Sequence, residues 1–189
     1  MTGAHAYDVR STTERFDGPV FRVVSDEVTM PGGGTAVRDY VLHIGAVGVV
    51  ALDDQGRVIL VRQYRHPLRR RMWELPAGLV DKAGEDLAAA AARELAEEAD
   101  LLPGKLDRLV DLHLSPGYST ERIRLFLARE LREVPPDQRH ARSDEEADME
   151  VTRVDLAEAV RMVFAGEITN AAAVAGILAA AHRRAGAGE

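Results

Sequence analysis

The sequence predicts an α+β sandwich, in which a mixed central sheet carries helices on its faces. Runs rich in β-branched residues lie both before and after one alanine- and glutamate-rich helical stretch. The chain then closes with two further helical segments. Its 189 residues suit one domain with an appended arm, and a 46% hydrophobic content is enough to build a sizeable core.

Taken in order, residues 1–17 are polar and predict a poorly ordered tail. Val20 to Met30 reads as a strand, and Val37–Ile44 as its return. Pro31-Gly32-Gly33-Gly34-Thr35 between them predicts a hairpin turn. A phosphate-cradling loop is excluded there, because neither glycine fingerprint is present and no helix follows. Gly45–Leu52 and Val58–Tyr64 are apolar strands joined through Asp53-Asp54-Gln55-Gly56, which predicts a second hairpin. Pro67 stops the latter strand just past Arg65 and His66. Arg69-Arg70-Arg71 reads either as a solvated loop or as a phosphate-attracting cluster. Beyond the glutamate helix, Pro103-Gly104 breaks the chain. Leu106–Leu114 and Arg122–Glu130 read as strands around a loop containing Ser115-Pro116-Gly117. Residues 133–148 form a long polar loop that ends in Ser143-Asp144-Glu145-Glu146-Ala147-Asp148. Met149–Val154 is a short strand. Asp155–Ala165 is an amphipathic helix stopped by Gly166, and Asn170 caps an alanine-rich helix that runs to Arg184.

Composition removes several functional classes. The net charge of −7 argues against a nucleic-acid or anionic-membrane binder, so an anionic substrate must be attracted locally. The chain has no cysteine, which excludes disulfides, thiol catalysis and thiolate metal sites and agrees with a reducing cytoplasm. The first residues lack the apolar segment of a signal peptide, and Val41–Leu52 is too short to span a bilayer as a helix. A cytoplasmic protein is expected.

The chemistry concentrates in residues 74–101. Ala88 to Ala92 are five consecutive alanines, the best helix formers. Glu94, Glu97 and Glu98 follow, and their spacing projects them from one helix face. Two carboxylates about 4 Å apart repel by about 1 kcal/mol in water and about 4 kcal/mol at an effective dielectric near 20. No lysines are interleaved to offset this. A hard divalent cation held by oxygens would do so. The alternative is a solvated acidic face relieved by Arg93.

The residues leading into this helix favour the cation. Gly78 stands in a small-residue approach, Glu85 follows in a loop, and after seven intervening residues comes Arg93-Glu94-Leu95-Ala96-Glu97-Glu98. This order resembles the Nudix box, G-x5-E-x7-R-E-U-x-E-E-x-G-U, where U is a bulky aliphatic residue. The chain departs from it twice. Six residues instead of five separate Gly78 from Glu85, and Asp100 stands where the pattern has its last glycine. The first change lies in a loop, where an insertion costs little. The second should reshape the helix exit, because Asp enters the left-handed conformation less easily than Gly.

The resemblance extends beyond the box. Arg62-Gln63-Tyr64-Arg65, Glu74-Leu75-Pro76-Ala77-Gly78 and a proline (Pro116) 15 residues after Leu101 look like the ADP-ribose pyrophosphatase branch. The acidic run at Glu145-Glu146 and the longer box loop look closest to actinobacterial members.

The resemblance implies a Nudix-type α/β/α sandwich with a mixed central sheet and an N-terminal β-hairpin arm. Residues 1–44 would be the tail and dimerisation arm, and 45–189 the catalytic domain. It implies a homodimer that binds a nucleoside diphosphate and uses Mg²⁺ or Mn²⁺ to cleave ADP-ribose to AMP and ribose 5-phosphate. The implied metal ligands are Glu94, Glu98, the Ala77 carbonyl, Glu97 and Glu146. Glu146 would be the catalytic base, with Glu145 second and Glu97 also in a catalytic role. Arg65, Arg38 and Gly117 would meet substrate, while Gly78, Glu85 and Arg93 would hold the motif in shape. Two alternatives stay open. One is the same chemistry on another nucleoside diphosphate derivative, and the other is a domain that binds ADP-ribose without cleaving it.

Overall fold

A computed structural model describes residues 5–142 and 147–186. Two compact units make up the chain. One consists of residues 1–45 with 113–122, the other of residues 46–112 with 123–189.

The first unit is an antiparallel sheet of β1 (Val9–Asp17), β2 (Phe21–Thr29) and β3 (Thr35–His43). Gly33 and Gly34 both take positive φ in the turn from β2 to β3, the hairpin that the sequence predicts. The strand β1 departs from the expected disordered tail. Its polar side chains hydrogen-bond across the sheet: Thr12 donates to Asp26 at 2.6 Å, and Arg15 Nε donates to the Ser25 hydroxyl at 2.7 Å. Pairing of polar groups, not apolar burial, holds this strand, which is why a search for hydrophobic alternation passes over it. The β2–β3 hairpin is therefore extended by β1 into a three-stranded sheet. The loop at Ser115–Thr120 is fastened to β3. The Val41 N–H donates to the Tyr118 carbonyl at 2.8 Å, and the Thr120 N–H donates to the Val41 carbonyl at 2.9 Å.

The second unit begins with β4 (Ala46–Ala51) and β5 (Arg57–Arg65). The turn at Asp53–Gly56 closes as expected, with the Gly56 N–H donating to the Asp53 carbonyl at 2.9 Å. The strands then diverge, joined by one bridge between Leu52 and Val58, and do not continue as a hairpin. Both are apolar on both faces, and buried strands of that kind need neighbours on each side. The strand β5 lies between β6 (Arg70–Glu74) and β12 (Glu150–Asp155). The strand β4 lies between β7 (Ala77–Leu79) and β10 (Arg122–Arg129), with β9 (Lys105–His113) beyond. It runs parallel to β10 and antiparallel to β7, so this sheet is mixed. A small ladder pairs β8 (Leu101–Leu102) with β11 (Arg132–Glu133).

Helices cover this mixed sheet. Val47, Val49 and Ala51 alternate along β4 and pack with Ala90, Ala91 and Leu95 of α1 (Leu87–Ala99). The alanine run thus serves packing as well as propensity, because small side chains let the helix approach the strands. Val50 points the other way, toward α3 (Ala171–Gly186). A Cβ at Gly176 of α3 would meet Leu75 at 2.8 Å and Val50 at 2.9 Å, so glycine permits this close contact. The short α2 (Leu156–Phe164) precedes α3, and the Asn170 side chain caps α3 by accepting from the Ala173 N–H at 3.0 Å.

Candidate active site

The ends of α1 explain how its glutamates are presented. Asp86 caps the start, accepting from the N–H groups of Ala88 and Ala89 at 2.9 and 3.2 Å. Nothing singled it out in the sequence beyond an aspartate just before an alanine run. At the other end Asp100 adopts φ 56 and ψ 35, the left-handed exit that the glycine of the pattern would take freely. Aspartate enters it at a cost of about 1 kcal/mol. Arg142 offsets this by donating from Nη2 to Asp100 Oδ2 at 2.8 Å and from Nε to the Glu97 carbonyl at 3.1 Å.

Between those ends, Glu94 and Glu98 face inward, with 9% and 3% of their surface exposed. Burial penalises the charged form and pushes Glu94 above the ordinary glutamate range, against the opposing pull of Arg93. Strand β7 supplies the facing wall. The Ala77 N–H donates to Glu98 Oε2 at 2.9 Å. A Cβ on Gly78 would collide with the Glu94 carboxylate, closer than 3.0 Å to Cδ and both oxygens. Gly78 is required for space and not for conformation, since it is absent from the positive-φ glycines.

Arg93 organises the charges. Nε and Nη2 donate to the two oxygens of Glu85 at 3.1 and 3.0 Å, a fork that clips the box loop to the helix. Nη1 donates to Glu94 at 2.5 Å and to Glu97 at 3.1 Å. Asp81, in the loop that carries the additional residue, lies 3.7 Å from the same guanidinium. The hydrogen bond from Arg93 holds Glu85 below its usual range, and Glu85 first among these carboxylates raises Arg93. Among the described residues no three acidic or imidazole side chains converge into a closed metal cage. The donor chemistry still fits a hard divalent cation: carboxylate oxygens, one of them in a buried glutamate pushed toward neutrality, beside a backbone cradle that any Cβ would fill.

Arg65, at the end of β5, grips Glu74 of β6 with both arms, at 2.9 and 2.6 Å. Glu74 is 3% exposed and was not recognised as a site residue from sequence, although a glutamate amid Met72, Trp73 and Leu75 is the available signal. Of the basic cluster, Arg69 is exposed in the turn that precedes β6. Arg70 and Arg71 lie in β6, Arg70 donates to Thr169 at 3.2 Å, and Arg71 pairs with Asp148. Arg38 and Gly117 belong to the other unit. Arg38 is exposed on β3 and donates to the Val37 carbonyl at 2.9 Å. Among the described residues beyond its chain neighbours, no atom lies within 4 Å of the position of a Cβ on Gly117. Glu145 and Glu146 lie outside the described residues.

A mixed sheet flanked by α1 and α3, with an arginine-braced glutamate helix facing a glycine strand, defines the Nudix class. The NUDIX domain model matches residues 42–173, and the chain belongs to that family. It is 47% identical to the ADP-ribose pyrophosphatase of Mycobacterium tuberculosis, covering 93% of this chain and 83% of that one. It is 38% identical to the ADP-ribose pyrophosphatase of Bacillus subtilis, covering 82% of each. A solved structure described as an ADP compounds hydrolase shares the fold, with a TM-score of 0.86 at 22% identity, covering 100% of this chain and 99% of that one.

Proposed function

We propose that this chain hydrolyses ADP-ribose to AMP and ribose 5-phosphate with a divalent cation, Mg²⁺ or Mn²⁺. The observation that carries the proposal is 47% identity across 93% of the chain to a protein named for that activity. The arginine-braced glutamates of α1 supply the hydrolytic chemistry.

Glu94, Glu98 and Glu97 would hold the cation, with the Ala77 carbonyl and Glu146 completing its oxygen shell. Bound there, the cation neutralises charge on the pyrophosphate oxygens and makes water a stronger nucleophile. Glu146, or Glu145 beside it, takes the proton as water adds to phosphorus. The bridging P–O bond breaks, and the two products leave as phosphate monoesters. Arg93 keeps the carboxylates apart and oriented through its contacts to Glu85, Glu94 and Glu97. Arg65, Arg38 and Gly117 are assigned to the substrate. Arg65 is held by Glu74 at a strand end and is preorganised for that role.

The active form is assigned as a homodimer built through the N-terminal arm. Exposed apolar side chains on the arm support this, among them Val9, Phe16, Phe21 and Val37. No described helix is long and apolar enough to cross a membrane. A cytoplasmic location is part of the same proposal, and a cysteine-free chain is compatible with it.

A substrate panel with Mg²⁺ or Mn²⁺ and product identification tests the activity. ADP-ribose should be cleaved best, releasing AMP. Much faster cleavage of GDP-mannose would overturn the substrate assignment. Binding of ADP-ribose without AMP release, retained in Glu94→Gln, would replace the enzyme with a binding module.

A further inference from the structure

The glycine missing from the box has a replacement with partners. Asp100 stands at the left-handed exit of α1, and its carboxylate receives Arg142 Nη2 at 2.8 Å. The same guanidinium holds the Glu97 carbonyl at 3.1 Å through Nε. Arg139 approaches the other oxygen of Asp100 at 3.9 Å. The backbone joins in, with the Val134 N–H donating to the Asp100 carbonyl at 2.9 Å. Thus the two sides of the polar segment 134–142 are both fastened to one residue at the end of the glutamate helix. Glycine at this position would keep the backbone bond and lose every side-chain contact.

Arg142 immediately precedes Ser143-Asp144-Glu145-Glu146 in the chain. Beyond that run, Asp148 pairs with Arg71 of β6. The chain is therefore fastened just before the acidic run, to the helix that carries Glu94, Glu97 and Glu98, and again just after it, to β6.

We propose that Asp100 is a positioning residue for the base assigned above: through Arg142 it ties the polar segment 134–142 to the exit of the glutamate helix. The exposure of both side chains is modest, 25% for Asp100 and 21% for Arg142, so water screens the pair only in part. Arginine suits the task because one planar fork reaches a carboxylate and a backbone carbonyl together.

This role presupposes the hydrolase reading above, so its test has one arm that needs no turnover. In that arm, amide hydrogen exchange is compared between the full-length wild type and Asp100→Gly. Exchange across 134–142 should rise at least severalfold in the variant, while exchange across 88–96 stays as it was. Unchanged exchange in 134–142 overturns the tether whether or not ADP-ribose is a substrate.

In the second arm, kcat and KM are measured on whichever substrate the wild type hydrolyses best in the panel. Asp100→Gly and Arg142→Ala should each lower kcat by about tenfold or more, within the roughly hundredfold that a misplacement of about 1 Å can cost. KM should stay near its wild-type value. Arg142→Lys, which keeps the charge but not the fork, should recover part of the loss. The double variant should lose no more than either single one, because both remove the same contact. Wild-type kcat in both single variants, or multiplying losses in the double, would overturn the proposal. So would a fall in Tm with unchanged kcat per folded molecule, which is the mark of a merely structural pair.

Discussion

Gly78 and Glu94 occupy adjoining space so closely that the glutamate carboxylate fills the place of a Cβ on the glycine. Neither residue can change independently. The buried Glu94 gains its position from the backbone of β7, and β7 can lie there only because one of its residues lacks a side chain. Gly78→Ala should therefore displace the carboxylate. We expect about a hundredfold loss in kcat/KM. The overpacking should cost about 1–3 kcal/mol of stability. Calorimetric titration with Mg²⁺ alongside turnover checks this. Wild-type cation affinity in Gly78→Ala would show that the contact does not govern the site.

The Arg65–Glu74 fork predicts a separation of two roles. Removing Arg65 leaves a buried carboxylate without its bidentate partner. Because the arginine side is 44% exposed, the penalty is less than for a fully buried pair, about 2 kcal/mol in urea unfolding. Arg65→Ala should lose that stability and also raise KM. Arg65→Ala combined with Glu74→Gln should regain most of the stability, since no charge is stranded, while KM stays high. Recovery of both together would confine Arg65 to a structural role.

Glu146→Gln should lower kcat about a hundredfold or more with substrate binding largely kept, the usual size of a general-base effect. Glu145→Gln should lower it far less. The reverse order in steady-state kinetics would exchange the two assignments. Equal, small effects would move the base to Glu97.

Acid stability should report the Asp111–Arg124 pair. Arg124 donates from Nε and Nη2 to Asp111 at 2.7 and 2.8 Å, and this hydrogen bonding holds the Asp111 carboxyl down at about 2. A carboxyl depressed on folding contributes stability above its unfolded value near 3.9, and loses it as pH falls through the folded value. The contribution should thus be whole above about pH 4 and vanish between about pH 4 and 2. Thermal melts of Asp111→Asn against wild type should differ most at neutral pH and converge near pH 2. A constant difference across that range would remove Asp111 from the acid transition.

The hydrophobic runs revealed the buried strands because apolar burial is a local compositional property. They were silent about β1, whose stability lies in hydroxyl, carboxylate and guanidinium pairs across to β2. They also suggested the wrong partner for β4 and β5. A tight turn joins consecutive strands, yet strands buried on both faces find neighbours from distant parts of the chain. Glu74 escaped notice for a related reason: its partner Arg65 is nine residues away and reaches it only once β5 and β6 pair.

By itself the sequence determined the family, the glutamate helix and the identity of the charged groups along it. Those depend on residue types at fixed short spacings, which a helix converts directly into a shared face. Only the tertiary structure decided how the charges are distributed: Arg93 among Glu85, Glu94 and Glu97, Glu98 on the Ala77 amide, and Asp100 with Arg142. Coulomb interactions and hydrogen bonds act over a few ångströms in space regardless of separation in sequence. The same aspartate that breaks the motif's pattern is, in the folded chain, an attachment point between the helix end and a segment that begins more than thirty residues later.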